Sequence, residues 1–200
     1  MKVEEAIKEI RSQPKKNFVQ GVELNVVLKN IDPKRPEQRF SRDVALPHGR
    51  GRDVKVGIIS DKLPDAITKG DLESMVNDTK KMRATLKEYR YFLCDPPLMA
   101  TVGKVLGKYL GPKGRMPKPI LPTMSVEKMM ESFTKSVTLR MQESVSLNVP
   151  VGIESMEDAK LADNVNAVLN ELKTALPKGA NQIKRVLLKT TMGKPVIVDA

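Results

Sequence analysis

Val54-Lys55-Val56-Gly57-Ile58-Ile59 is a short apolar run of the kind that fills a buried parallel strand, and the sequence changes character where it begins. Downstream of it, weak helices are predicted around Lys62 to Lys69 and Thr79 to Tyr89, and a further strand at Arg90-Tyr91-Phe92-Leu93. Two more helices follow, over Thr101 to Leu110 and Ser125 to Phe133, the second with Ser125 as its N-cap. Strands alternating with helices point to a small three-layer α/β unit. The carboxylates near its strand ends, Asp61, Asp65 and Asp71, read as loop and capping residues.

Upstream of the run the pattern is different. Val3, Ala6, Ile7 and Ile10 recur at helical spacing, Pro14 ends that helix, and Lys15-Lys16-Asn17 is a basic turn. Val22, Leu24, Val26 and Leu28 then alternate with Glu23, Asn25 and Val27, as a half-buried strand requires. A proline-rich loop (Ile31-Asp32-Pro33-Lys34-Arg35-Pro36) leads to a second strand marked by Phe40, Val44 and Leu46, and Pro47-His48-Gly49-Arg50-Gly51-Arg52 has the glycines of a connector. The last third returns to this style. Val137 and Leu139, then Val145, Leu147, Val149 and Val151, alternate; Leu161, Val165, Val168, Leu172 and Leu176 line one face of a long helix ending at Pro177 and Gly179. A strand through Val186 and Leu188, a turn from Thr190 to Pro195 and a strand at Val196-Ile197-Val198 complete the chain. Neither end alone is large enough to bury a core. The prediction is therefore one discontinuous α+β domain, residues 1–53 with 136–200, interrupted by an α/β domain at 54–135, with hinge segments near Gly49 to Asp53 and Lys135 to Val137.

Composition narrows the function. The 200 residues are 40% apolar, enough for packed cores, and no apolar run approaches the roughly 18–20 residues of a membrane span. Met1-Lys2-Val3-Glu4-Glu5 turns acidic at once, unlike a signal peptide, and the single cysteine, Cys94, reads as a buried thiol. A cytoplasmic protein without a membrane partner is expected. The net charge is +11, and its distribution is uneven. Five basic residues and no acid lie between Thr101 and Lys118, six and no acid between Lys173 and Lys194, and seven against three between Lys34 and Lys55. A surplus serving solubility alone would be dispersed; clustering favours a polyanionic partner, and nucleic acid above all.

Catalysis fares badly. His48 is the only histidine, so no His/Cys metal cluster can be assembled with Cys94, and no obvious carboxylate orients the imidazole for a nucleophilic triad. Gly103-Lys104-Val105-Leu106-Gly107-Lys108-Tyr109 has neither the spacing nor the hydroxyl of a phosphate loop. No cofactor or metal is expected. Gly111-Pro112-Lys113-Gly114-Arg115-Met116-Pro117-Lys118-Pro119, by contrast, reads as an irregular, stiff, cationic loop suited to backbone phosphates through Lys113, Arg115 and Lys118. In Thr190-Thr191-Met192-Gly193-Lys194-Pro195, small hydroxyl residues and a glycine would let RNA approach closely, with Met192 flat against a sugar or base.

Several segments together resemble the uL1 family of large-subunit ribosomal proteins, in order and across essentially the whole chain. They are Asn17-Phe18 with Val22-Glu23-Leu24; Val44-Ala45-Leu46-Pro47-His48-Gly49; Leu110-Gly111-Pro112-Lys113-Gly114-Arg115-Met116-Pro117; Val149-Pro150-Val151-Gly152; and Thr190-Thr191-Met192-Gly193. After Met116-Pro117 the chain reads Lys118-Pro119-Ile120-Leu121-Pro122 where bacterial members have Asn-Pro-Lys, so it looks more like the archaeal type. The resemblance implies a split α+β domain with an inserted Rossmann-like domain on two hinge strands. It also implies a non-enzymatic protein, monomeric when free, that binds large-subunit ribosomal RNA at the mobile stalk near the exit-site tRNA. Translational repression through its own mRNA is implied as well. Carried onto this sequence, the RNA surface would combine Phe18, Gln20 and Glu23 with Thr191, Met192 and Gly193, and Lys16, Arg42, His48 and Lys189 would reach phosphates. Two other readings share part of this ground: a nucleotide-dependent enzyme using the α/β insert, and a DNA-binding architectural protein, which would not discriminate RNA from DNA.

Overall fold

A computed structural model describes residues 1–14, 16–33, 35, 39–63, 66–120, 125–141 and 144–199. Lys15, Lys34, Pro36, Asp65, Leu121 and Pro122, assigned above to turns and loops, lie outside the described residues. The fold is mixed α/β and divides into two compact units, Met1–Arg52 with Lys135–Ala200, and Asp53–Thr134.

In the first unit the alternation at 22–28 becomes strand β1 (Gly21–Leu28). Val22, Leu24, Val26 and Leu28 are buried, and the intervening side chains are half-exposed. β1 pairs antiparallel with β7 (Ser146–Ile153) on one side and β8 (Ile183–Thr190) on the other. β8 pairs in turn with β9 (Val196–Val198), giving the order β7-β1-β8-β9. Helices α1 (Val3–Ser12) and α6 (Asp158–Ala175) cover one face, where Ala6, Ile7 and Ile10 join Leu161, Val165, Val168 and Leu172 in a single core with the strand residues. The antiparallel ribbon of β2 (Ser41–Ala45) and β6 (Ser136–Arg140) adds Val44, Val137 and Leu139 to that core. Gln13, next after α1, is already extended because the residue before a proline resists the helical conformation. At the outer strand β7, Pro150 removes one backbone donor that a further strand could use.

The second unit holds three parallel strands, β3 (Val56–Ile59), β4 (Tyr91–Cys94) and β5 (Lys118–Pro119), in that order. Ile59, Phe92 and Cys94 pack with Leu72 of α2 (Lys69–Asn77), Met82 of α3 (Thr79–Glu88) and Leu106 of α4 (Met99–Leu110). Val56 and Leu93 pack with Met129 of α5 (Val126–Lys135). The sheet is thus apolar on both faces, which explains why its strands read as continuous runs rather than alternations. Cys94 is fully buried, and burial pushes its thiol up to about 11.

Two expectations for this unit need correction. No helix covers the described residues of 62–68; α2 begins one residue beyond them. Thr68 and Asp71 exchange reciprocal cap bonds, Thr68 Oγ1 accepting the Asp71 N–H at 3.3 Å and Asp71 Oδ2 the Thr68 N–H at 3.2 Å. Asp61 accepts the Lys69 N–H at 2.9 Å, and Ile67 forms a parallel bridge to Ile59 instead of a helical turn. Nor is 111–119 irregular throughout. Lys118 and Pro119 add a short strand beside Leu93 and Cys94, which proline tolerates at a sheet edge, where its missing N–H costs no ladder bond.

The loop between β2 and the second unit is fixed from α6. Asn164 is fully buried; its Oδ1 accepts the His48 N–H at 3.1 Å, and its Nδ2 donates to the Gly49 and Val151 carbonyls at 2.9 and 2.8 Å. Gly51 has φ +70°, and a Cβ there would fall 2.6 Å from Ile153 Cγ1, so glycine is required on both counts. Asn164→Ala would strand one donor and two acceptors in the interior, and we expect it to lower unfolding free energy by about 2–4 kcal/mol. Urea denaturation of the variant checks this; a loss under about 0.5 kcal/mol would mean that water replaces the amide.

Candidate nucleic-acid interface

Register decides which distant residues meet. Because Val22 lies opposite Thr190, the segment entering β1 runs beside the turn leaving β8. The Thr191 N–H donates to the Gly21 carbonyl at 2.9 Å, and the Gly21 N–H returns a bond to Thr191 Oγ1 at 3.1 Å. The Met192 N–H donates to Gln20 Oε1 at 3.0 Å, and the Gly193 N–H to the Thr190 carbonyl at 3.2 Å. Phe18, Gln20, Thr191, Met192 and Gly193 are therefore brought to one end of the sheet, although some 170 residues separate the two segments. Their roles divide sharply. Phe18 and Met192 are 52% and 66% exposed, whereas Gln20 is only 3% exposed. Gln20 was expected at the contact surface; its burial and its bond to Met192 make it a support of the turn. A hollow of about 620 Å³ is lined by Phe18 and Lys16 together with Arg11, Asn17, Val19, Glu154 and Ser155.

The sheet face away from the helices carries Glu23. Asn148 Nδ2 donates to Glu23 Oε2 at 3.1 Å, and Lys189 Nζ lies 3.5 Å from the same oxygen. Lys189 is thus ion-paired before any partner arrives. A partly exposed pair of this kind stabilises by only about 0.2–1 kcal/mol, so a phosphate could draw the lysine away at little cost. Asn148 was not singled out from sequence. The alternation of Leu147 and Val149 requires it to point away from the core, but nothing local reveals that Glu23 is its neighbour across the sheet.

Arg42 and His48 are held by α6 instead. Arg42 lies 3.4 Å from Glu171, and His48 Nε2 lies 2.9 Å from Asp163 Oδ2. The expectation that no carboxylate orients His48 was wrong, because Asp163 is 115 residues away in sequence and reaches it from the helix. In the second unit, Lys113 is exposed in the turn after α4. Arg115 and Lys118 are half-buried: burial, with Arg90 nearby, holds the Arg115 guanidinium below its ordinary pKa, and burial does the same to Lys118. The Lys118 ammonium lies 4.7 Å from the centroid of the Phe133 ring. Among the described residues, no group of three or more His, Cys, Asp or Glu side chains could hold a metal ion. No described helix is long and apolar enough to cross a membrane.

Comparison with known proteins agrees with this arrangement of motifs. The family model described as "Ribosomal protein L1p/L10e family" matches residues 7–194. The chain belongs to that family. It is 42% identical to the large ribosomal subunit protein uL1 of Pyrococcus horikoshii, over 99% of this chain and 95% of that protein. It is 40% identical to the uL1 of Thermococcus kodakarensis over 99% and 97% of the two chains, and 37% identical to that of Methanobrevibacter smithii over 96% of each. As a member of this family it is a structural ribosomal protein of the archaeal type and not an enzyme.

Gly193 has no room for a side chain, since a Cβ there would lie 2.2 Å from Thr190 Oγ1. We expect Gly193→Ala to displace the turn and to lower stability by about 1–3 kcal/mol, a fall in Tm of several degrees. Thermal unfolding checks this, and an unchanged Tm would show that Thr190 simply rotates aside.

Proposed function

We propose that the chain binds large-subunit ribosomal RNA at the mobile stalk beside the exit-site tRNA, and that it represses translation of its own mRNA through a similar RNA fold. The discontinuous domain, residues 1–53 with 136–200, supplies the main RNA surface. The inserted domain, 54–135, reads as a three-layer Rossmann-like unit, and its Lys113, Arg115 and Lys118 supply secondary contacts to RNA or to the tRNA. The protein acts in the cytoplasm on the ribosome and is monomeric when free.

One observation carries the reading. Met192 is a large apolar side chain presented to solvent from backbone that is tied by several hydrogen bonds, and Phe18, two residues before Gln20, is an exposed aromatic at the same end of the sheet. Loose apolar residues on a surface mean little, but one held on a fixed frame, with an exposed aromatic at the same end of the sheet, suits stacking and close contact with sugar edges. Glu23 fits the same partner, because a carboxylate accepts from a 2′-hydroxyl or a base amine and repels a bare phosphate. Lys189 beside it, and Lys16 in the hollow near Phe18, supply the attraction that brings a polyanion in. RNA, not DNA, is the polyanion for which shape, stacking and 2′-hydroxyl contacts matter most.

The test is filter binding of the full chain to a stalk fragment of large-subunit ribosomal RNA. The comparisons are a DNA version of that fragment and an unrelated RNA hairpin, at moderately high salt. We expect tight binding to the stalk alone; weak and equal binding to all three would reduce the +11 charge to generic attraction. Met192→Asp should weaken stalk binding by roughly a hundredfold, the range of a lost hot spot, and wild-type affinity would sink the assignment of this turn. Lys113→Ala should lower the salt slope by about 1 with a smaller loss of affinity.

A further inference from the structure

We propose that Gln13 is a positioning residue that splints the Thr191–Lys194 turn for RNA. No sequence motif marks it: it is the residue between the end of α1 and Pro14, and its backbone is extended. Its side-chain amide nevertheless spans to the far end of the chain. Gln13 Oε1 accepts the Lys194 N–H at 2.7 Å, and Gln13 Nε2 donates to the Lys194 carbonyl at 3.0 Å. One primary amide thus occupies both backbone groups of Lys194, as a neighbouring strand would. Pro195 follows, so the residue after Lys194 offers no N–H of its own.

Gln13 and Gln20 act on the turn from its two ends. Gln20 Oε1 takes the Met192 N–H and Gln13 takes Lys194, while Gly193, between them, donates to Thr190. A Cβ on Gly193 would lie 2.6 Å from Gln13 Oε1, so the absence of a side chain there is what lets the amide reach in. Met192 is 66% exposed and makes little packing of its own, so its direction depends on this backbone. A turn of four residues free to move would have to be ordered when RNA binds; one ordered in advance has already met that entropic cost. Gln20 alone cannot do this, because it leaves the Lys194 end free to pivot. The two glutamines differ in a way that makes the test clean. Gln20 is buried, and its loss would disturb the core edge, whereas Gln13 is half-buried and lies outside that core.

The inference rests on the RNA-binding reading above, so two measurements are made on the full chain, one without RNA. Amide hydrogen exchange of free wild type, Gln13→Ala and Gln13→Asn reports the turn itself; Asn keeps the amide but is one methylene too short to span. Filter binding to the stalk RNA at several salt concentrations reports the consequence. We expect faster exchange at Lys194 and Met192 in both variants, affinity lower by about tenfold, an unchanged salt slope and a Tm within about two degrees of wild type. Unchanged exchange in the turn would overturn the splint. So would a loosened turn with wild-type affinity, or an affinity loss that simply follows a large fall in Tm. If wild type itself shows no preference for the stalk RNA, the RNA reading fails first, and the role of Gln13 in recognition falls with it.

Discussion

The structure depends on β1 being paired on both sides by strands from the other end of the chain. Its neighbours, β7 and β8, begin at Ser146 and Ile183, so no strand from its own end of the sequence lies beside it. The two hydrogen-bonding edges of β1 have no partner until residues beyond the second unit have been made and returned. Pairings this distant are slow to form, because the loop entropy must be met before the contacts stabilise anything. The second unit softens the problem. It has its own apolar clusters on both faces of a parallel sheet, so the intervening chain is a folded body and not a free loop.

The same pairing builds the candidate interface. Setting Val22 opposite Thr190 brings Gln20 to Met192 and Gly21 to Thr191. A slip of one residue would turn every side chain on β1 to the other face and carry Glu23 into the core. The core therefore specifies the interface: the free-energy cost of burying Glu23 or exposing Leu24 fixes a geometry that the exposed residues could not fix for themselves. The exposed side chain of Met192 gains nothing from the fold, and its place is set by the bonds that hold the backbone beneath it.

Much of this was legible in sequence, and the limits are physical. Alternation in β1 and β7 and the helical stripe of α6 each reflect burial on one face, a property local to the segment. Helix starts were read less well. The helix placed near Lys62 begins at Lys69, because the Thr68–Asp71 box and the Ile67 bridge outweigh weak helical patterning. Strand β5 was invisible, since two residues, one of them proline, carry no period at all. In the site, the types Phe18, Glu23 and Met192 could be named, but their functional division could not. Gln20 looks like a surface residue until its burial is known; His48 looks unpaired until Asp163 arrives from a helix more than a hundred residues on. Asn164 and Asn148 are the plainest omissions. Each is a polar residue in a patterned segment whose partners come from other segments.

In the proposed RNA surface, the acidic Glu23 beside Lys189 would balance attraction against selection. Glu23 weakens the field that draws a polyanion in, and its ion pair with Lys189 neutralises a cation that phosphate would otherwise meet directly. Solubility does not need it there, and the sheet would be as well formed with a neutral residue on its open face. What the carboxylate adds is an acceptor fixed in direction: Asn148 donates to one oxygen from the neighbouring strand and Lys189 approaches the same atom, which leaves Oε1 without a contact in that network. A bare phosphate passing this point is repelled; a hydroxyl or amine is not. Long-range attraction from clustered lysines and arginines is indifferent to sequence and to sugar, so any discrimination must come from groups that penalise the wrong partner. On that ground we propose that Glu23 belongs to the recognition surface even though its charge opposes binding.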